Sequence, residues 1–235
     1  MNSPISSQTL QEMRTYYRER AREYDEWFYR QGRYSQGPEM DALWFSEADE
    51  AFTTLDTLHL TGDVLELAPG TGIWTERLVR TATTITAVDA SPEMIEINRA
   101  KVNSDRVSYL QADLFSWQPE RTYDAVLFSF WISHVPLERL DDFLHAVVTM
   151  LRPDGKVFFI DGRRTSGGSF AHSQPPVQDS QLTIRTLNDG RTFEIVKNYY
   201  DPIDLAARCT QAGFDITIRE TATYFLYGYG SRTRS

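Results

Sequence analysis

The chain has one cysteine, four histidines and no positive excess: its formal net charge is −9 over 235 residues. A single thiol, Cys209, excludes an internal disulfide and a thiolate metal cluster, and its expected place is a packed position on a late helix. His59, His134, His145 and His172 show no zinc-type spacing, so no metal is expected. The acidic balance disfavours a long contact with nucleic acid phosphates, which calls for a basic stripe. No stretch approaches the roughly 20 apolar residues that a membrane helix needs, and the opening MNSPISSQTL lacks the charged start and apolar run of a signal peptide. A cytoplasmic protein with no membrane or nucleic acid partner, monomeric or homodimeric, is the expectation. Internal repeats and low-complexity tracts are absent from the sequence.

What is present suits one domain, since 41% apolar residues can build a substantial core. Residues from about Gln8 to Arg30 combine helix formers with Tyr16, Tyr17, Tyr24, Trp27, Phe28 and Tyr29, which predicts one amphipathic helix with an aromatic face. A break at 31–38 (QGRYSQGP) precedes a second helical stretch, Glu39 to about Leu58. Residues 1–60 thus form a helical cap belonging to the same domain as 61–235.

From Asp63 the texture changes to short apolar runs: VLELA, ITAVD, VSYLQAD, YDAVLFSFW and KVFFIDG. Strands buried on both faces have this composition, and the helical patterns between them predict a parallel α/β sheet. Ser91, Pro92 and Glu93 mark one helix start. Leu140, Phe143, Leu144, Val147, Val148 and Leu151 form one buried helix face, which Pro153, Asp154 and Gly155 close before the next strand. An insertion at about 163–200 ends in a predicted hairpin around Asn188, Asp189 and Gly190, either joining the sheet or forming a flap. A helix over 202–212 and two strands with antiparallel character finish the chain.

The stretch VLELAPGTGIWT places a glycine turn after the first strand, where ligands bind in open parallel sheets. Gly70 and Gly72 let the backbone approach a ligand, and the helix opening at Ile73 points free amides at it. A dinucleotide fingerprint wants a third glycine or alanine where Thr75 stands. Glu66, in the strand below the turn, suits an ammonium or sulfonium better than a diphosphate. Asp89 ends the second strand, placed for ribose hydroxyls, and Asp113 the third, placed for an adenine amine.

With ELAPGTG, AVDAS, QADLFSW and LRPDGKVFFID, the segment from Val64 to about Gly162 resembles the class I S-adenosylmethionine-dependent methyltransferases. YYRERAREYDEWF resembles the cap helix of their small-molecule members. The resemblance implies a Rossmann-like, seven-stranded, mostly parallel sheet with helices on both faces and an antiparallel last strand. It implies S-adenosyl-L-methionine as cofactor and S-adenosyl-L-homocysteine as product. Cofactor contacts are then expected along the first strand and turn, at Glu66, Ala68, Gly70, Gly72, Trp74 and Thr75. Further contacts are expected at Asp89, Ala90 and Met94, at Asp113 and Leu114, and at Ser129, with Tyr17 and Tyr24 reaching over from the cap.

Methyl transfer requires a nucleophile placed in line with the methyl carbon and sheltered from water. The expected acceptor is a small molecule, bordered by Trp27, Tyr34, Trp131, His134 and Arg163. His134, with an ordinary imidazole pKa, is the candidate general base or a residue that satisfies backbone groups at a helix start. As base it favours oxygen over nitrogen or carbon. Asp161 and Arg164 are further candidates for orienting a polar acceptor, and His172 is a weaker one. An RNA or protein-side-chain acceptor, or a non-catalytic binding protein on the same scaffold, are the alternative readings.

Overall fold

The computed structural model describes residues 4–164 and 180–234. Helix α1 (Ser7–Arg20) is capped by Ser6, whose Oγ accepts from the Thr9 amide at 3.0 Å. The single long helix expected over 8–30 is broken. A turn at 21–23 separates α1 from α2 (Tyr24–Phe28). The turn carries no glycine or proline; it brings the Tyr24 and Trp27 rings onto the Arg20 guanidinium, 5.1 and 5.7 Å from the ring centroids. A 3-10 turn at Gly32–Tyr34 leads to α3 (Pro38–Leu58).

The main sheet takes β1 (Asp63–Leu67), β2 (Thr84–Asp89), β3 (Val107–Gln111), β4 (Tyr123–Ser129) and β5 (Leu151–Gly162). Helices α4 (Thr75–Leu78), α5 (Pro92–Val102) and α6 (Leu140–Met150) connect them. A small hairpin of β6 (Leu182–Thr186) and β7 (Thr192–Val196) follows, then α7 (Pro202–Ala212), β8 (Phe214–Glu220) and β9 (Phe225–Arg232). The seven-stranded order is β3-β2-β1-β4-β5-β9-β8, with β9 antiparallel to both neighbours and the β1 to β5 pairs parallel. Strand order reverses between β1 and β4, so the crevice beyond their carboxyl ends is where a ligand fits.

Alternate strand residues feed two cores, as a sheet covered on both faces requires. Val64, Ile85, Leu127 and Phe158 pack with Trp44, Ala48 and Ala51 of α3; Leu65, Val126, Phe128 and Phe159 pack with Phe143 and Val147 of α6 and with the buried Cys209 of α7. The hairpin stands apart from the main sheet: Ile195 and Val196 pack with Leu10, Met13 and Tyr16, so β7 and α1 support each other above the crevice.

One boundary differs from the sequence pattern. Helix α6 stops at Met150, and Leu151 already pairs with Tyr123 in the sheet. The register then shifts between Tyr123 and Ala125, and Asp154 takes up the irregularity at φ 62°. Pro153 and Gly155 therefore lie in an irregular stretch of β5. Among the described residues no helix is long and apolar enough to cross a membrane.

Candidate active site

The turn after β1 is pinned from two sides. Asp89 at the end of β2 accepts from the Gly70 amide at 3.1 Å and from the Ser91 amide at 2.9 Å. Asn98, fully buried on α5, donates to the Gly70 carbonyl at 3.2 Å and to Thr75 Oγ1 at 3.0 Å, and accepts from the Tyr109 hydroxyl at 2.8 Å. At Gly72, φ is +95° and an added Cβ would stand 2.8 Å from the Asn98 side chain. Glycine is required there to let the α5 anchor close on the turn.

Glu66 lies beneath this turn, fully buried, with neither carboxylate oxygen hydrogen-bonded. Burial outweighs the lowering influence of the nearby Thr75 hydroxyl and, with a smaller contribution from the Asp89 charge, pushes its pKa up to about 8. Burial also raises Asp89 to about 6, against the amides of Ser91, Gly70 and Ala90. An unpartnered buried acid beside a second acid is costly by itself and fits a ligand that brings positive charge and hydrogen-bond donors.

Beyond the turn lies a cavity walled by Ala68, Gly70, Asp89, Ala90 and Met94, and by Asp113, Leu114 and Ser129. Tyr17 and Tyr24 close it from above. Asp113 accepts from the Phe115 amide at 3.0 Å and pairs with Arg14 of α1 at 2.6 Å, so the cap helix is tied to the rim. The backbone is left-handed at two non-glycine strand ends lining this cavity, Ala68 (φ 50°) and Phe130 (φ 52°). Such backbone strain is characteristic of functional sites.

Other expected contacts fall elsewhere. Trp74 turns into the core, its centroid 4.4 Å from that of Phe52 and 5.7 Å from that of Phe158, and lines neither cavity. The aromatic core under α3 outcompetes ligand contact for this ring. Glu66, Gly72 and Thr75 also line neither cavity; Glu66 lies beneath the turn, and Gly72 and Thr75 act through Asn98, behind the cavity wall. Trp131, expected on the acceptor side, lies in the cavity of Asp89 and Asp113, its ring 5.3 Å from Phe115.

A second cavity adjoins the first. Trp27, Tyr34, His134 and Arg163 line it, as expected of an acceptor pocket, together with Arg20, Arg185 and Lys197. Tyr17, Tyr24, Phe130 and His134 belong to both cavities and form their common wall. His134 is buried; its Nδ1 lies 2.6 Å from the Val196 carbonyl and its Nε2 2.6 Å from the Tyr17 hydroxyl. A carbonyl only accepts, so Nδ1 carries the proton and Nε2 accepts from Tyr17. Burial, then the Lys197 charge, depress the His134 pKa to about 3. The ordinary imidazole pKa expected from sequence is thus corrected: the ring is neutral at pH 7 and a weak base.

Asp161 lies below this wall, 1% exposed, accepting from Lys197 Nζ at 2.8 Å and from the Ser133 amide at 3.0 Å. Arg163 donates to the Ala222 carbonyl at 3.0 Å and pairs with Glu220 at 3.4 Å, and Arg164 stacks on Tyr199. His59 and His145 line neither cavity, and His172 falls outside the described residues. Among the described residues no three acids, histidines or cysteines are grouped to hold a metal ion. Asn98, Arg14, Phe130 and the cations of the second cavity other than Arg163 went unnoticed in the sequence; these cations come from distant segments and leave no local signature.

Residues 64–155 match the family model of the methyltransferase domain. The solved structure of a DhpI–SAH complex is 35% identical and covers 98% of this chain and 100% of its own, with a TM-score of 0.79. A DhpI–SAM–HEP complex is 37% identical over 96% of this chain and 98% of its own, with a TM-score of 0.78. Ubiquinone biosynthesis O-methyltransferase of Xanthomonas euvesicatoria pv. vesicatoria (strain 85-10) is 28% identical over 165 residues, 68% of this chain and 65% of that protein. The chain spans less than two thirds of the length of such curated relatives, at 38%, 65% and 61% for three of them.

Proposed function

The chain is a class I S-adenosylmethionine-dependent methyltransferase, and on that premise we propose that it moves the methyl group to an oxygen of a small-molecule acceptor held in the second cavity. The observation that carries this reading is the common wall of Tyr17, Tyr24, Phe130 and His134 between the two cavities. A group transferred between ligands in adjoining cavities crosses at such a wall, where orientation and exclusion of water contribute most.

S-Adenosylmethionine supplies an electrophilic methyl on a sulfonium. Glu66 and the glycine turn would hold its methionine end, Asp89 its ribose, and Asp113 with Leu114 its adenine. Met94 and Trp131 add apolar surface to that cavity. In the second cavity Tyr17 donates its hydroxyl hydrogen bond to His134 Nε2, which leaves the phenolic oxygen free to accept from an acceptor hydroxyl. The pair is suited to orienting an oxygen. His134 takes up a proton only weakly, so positioning has the larger share of its role. The names of the ubiquinone biosynthesis O-methyltransferases support oxygen as the receiving atom.

The test is to incubate the protein with methyl-deuterated S-adenosylmethionine and a metabolite extract, then separate small molecules from macromolecules. Label in the small-molecule fraction, on an oxygen by NMR shift, is the expected result. Label on nitrogen, on carbon or in the macromolecular fraction defeats the reading.

A further inference from the structure

The second cavity is cationic in a chain whose net charge is −9. Arg20, Arg30, Arg33, Arg163, Arg185 and Lys197 line it, and among the described residues no Asp or Glu does. Four of these have a carboxylate partner behind the wall: Arg30 with Asp41, Arg33 with Glu23, Arg163 with Glu220, and Lys197 with Asp161. Among the described residues no carboxylate forms an ion pair with Arg20 or Arg185.

Arg20 is only 8% exposed, and its Nε has no hydrogen-bond partner. Its guanidinium sits among the rings of Tyr16, Tyr24, Trp27 and Tyr34, at 5.1 to 5.9 Å from their centroids. Rings stabilise the cation through their faces and leave its in-plane N–H groups without acceptors. Arg185 comes from a different element, β6, and its charge acts on both Tyr17 and His134 of the common wall. Two guanidinium forks approaching one space from different elements match a compact group with several oxygens.

We propose that the methyl acceptor carries a compact oxyanion, a carboxylate or a phosphate-type group, bound between Arg20 and Arg185 with Lys197 beside it. This rests on the reading that the second cavity receives the acceptor. It assigns the hairpin a binding role, since β6 and the residue after β7 supply two of the three cations.

The experiment is calorimetry on the full chain saturated with S-adenosylhomocysteine, titrated separately with inorganic phosphate, acetate and glycerol at fixed ionic strength. Saturable binding of phosphate or acetate, with none of glycerol, is expected, and which anion binds tells a tetrahedral from a planar oxyanion. Arg185→Gln, partly exposed and mild for folding, is expected to weaken the anion about tenfold or more while leaving S-adenosylhomocysteine affinity unchanged. Arg20→Gln, checked by its unchanged S-adenosylhomocysteine affinity, is expected to do the same. If neither anion binds, or if both variants bind it as the parent does, the oxyanion assignment is overturned while the methyltransferase reading stands. Failure of S-adenosylhomocysteine itself to bind overturns that reading and the assignment with it.

Discussion

The Tyr17 hydroxyl lies 2.6 Å from His134 Nε2, joining the cap helix to the segment after β4 at the wall shared by both cavities. Tyr17→Phe keeps the ring but removes the donor and leaves a buried imidazole nitrogen unpaired. The expected result is a fall in kcat of about ten- to a hundredfold with a change of less than about threefold in S-adenosylhomocysteine affinity. Steady-state kinetics on the labelled-methyl assay, with calorimetry beside them, check it; an unchanged kcat removes Tyr17 from the proposed orienting role.

Asp89 accepts two backbone amides while facing the first cavity, so its carboxylate shapes the turn and lines the space proposed for the ribose. Asp89→Ala is expected to weaken S-adenosylmethionine binding at least about tenfold, equivalent to about 1.4 kcal/mol or more. Calorimetry with the variant is the check, and retention of parental affinity defeats the ribose assignment.

Much of this architecture is legible in the sequence, because short runs such as VLELA and AVLFSF, alternating with helical patterns, have the composition of strands covered on both faces. Ser91 before Pro92 caps α5 as read, its Oγ accepting from the Met94 amide at 3.2 Å. Acids at successive strand ends locate the first cavity because strand ends are local features. Features made by tertiary contact are not legible in this way. The break after Arg20 carries no helix-breaking residue and follows from aromatic contacts with the guanidinium. Trp74 sits inside a ligand motif, yet its ring is drawn inward by Phe52 and Phe158. The cationic cavity assembles Arg20 and Arg30 from the cap with Arg185 and Lys197 from the hairpin region, and no periodicity connects those segments.

Glu66 carries a pH signature. Folding raises its pKa from near 4.5 to about 8, so its contribution to stability is fully present below about 4.5 and is lost as pH rises through about 8. Glu66→Gln removes the titration. Melting temperatures of the free proteins are expected to agree near about pH 5 and to separate near about pH 8.5, with the variant higher. The same variant is expected to bind S-adenosylmethionine about tenfold more weakly, since glutamine cannot ionise to meet the ligand's positive charge. Equal pH profiles for the two proteins count against the buried titration.

The two turn glycines differ in what surrounds them. At Gly72 a Cβ would press on Asn98 at φ +95°, whereas at Gly70 the nearest atom is Tyr24 Cε1 at 4.0 Å and φ is +55°. Gly72→Ala is expected to cost about 2–4 kcal/mol, combining overpacking with backbone strain, and Gly70→Ala about 1–2 kcal/mol. Urea unfolding of both variants tests the order, and a larger loss at Gly70 contradicts the Asn98 anchor.

Lys197 and Asp161 form a buried ion pair at 2.8 Å, with Asp161 also accepting from the Ser133 amide. Burial alone raises the Asp161 pKa; the Lys197 charge, with a smaller contribution from the neighbouring His134 ring, reverses this and holds it below the usual carboxylate range. Its stabilising contribution is therefore present above the unfolded pKa near 3.8 and is lost as pH falls through the lower folded value. Lys197→Met leaves the carboxylate buried without its cation, at an expected cost of about 3–5 kcal/mol. Asp161→Asn strands the ammonium, which is less enclosed at 11% side-chain exposure against 2%, so its cost is smaller. The double variant is expected to be less destabilised than the sum of the singles by about 0.5–3 kcal/mol. The loss in Lys197→Met is also expected to shrink as pH is lowered toward 4, because protonation relieves the stranded carboxylate, whereas the parent weakens in that direction. Urea unfolding near about pH 7 and pH 4.5 reads both effects. Strict additivity together with parallel pH profiles removes the pair as the device that holds this wall in place.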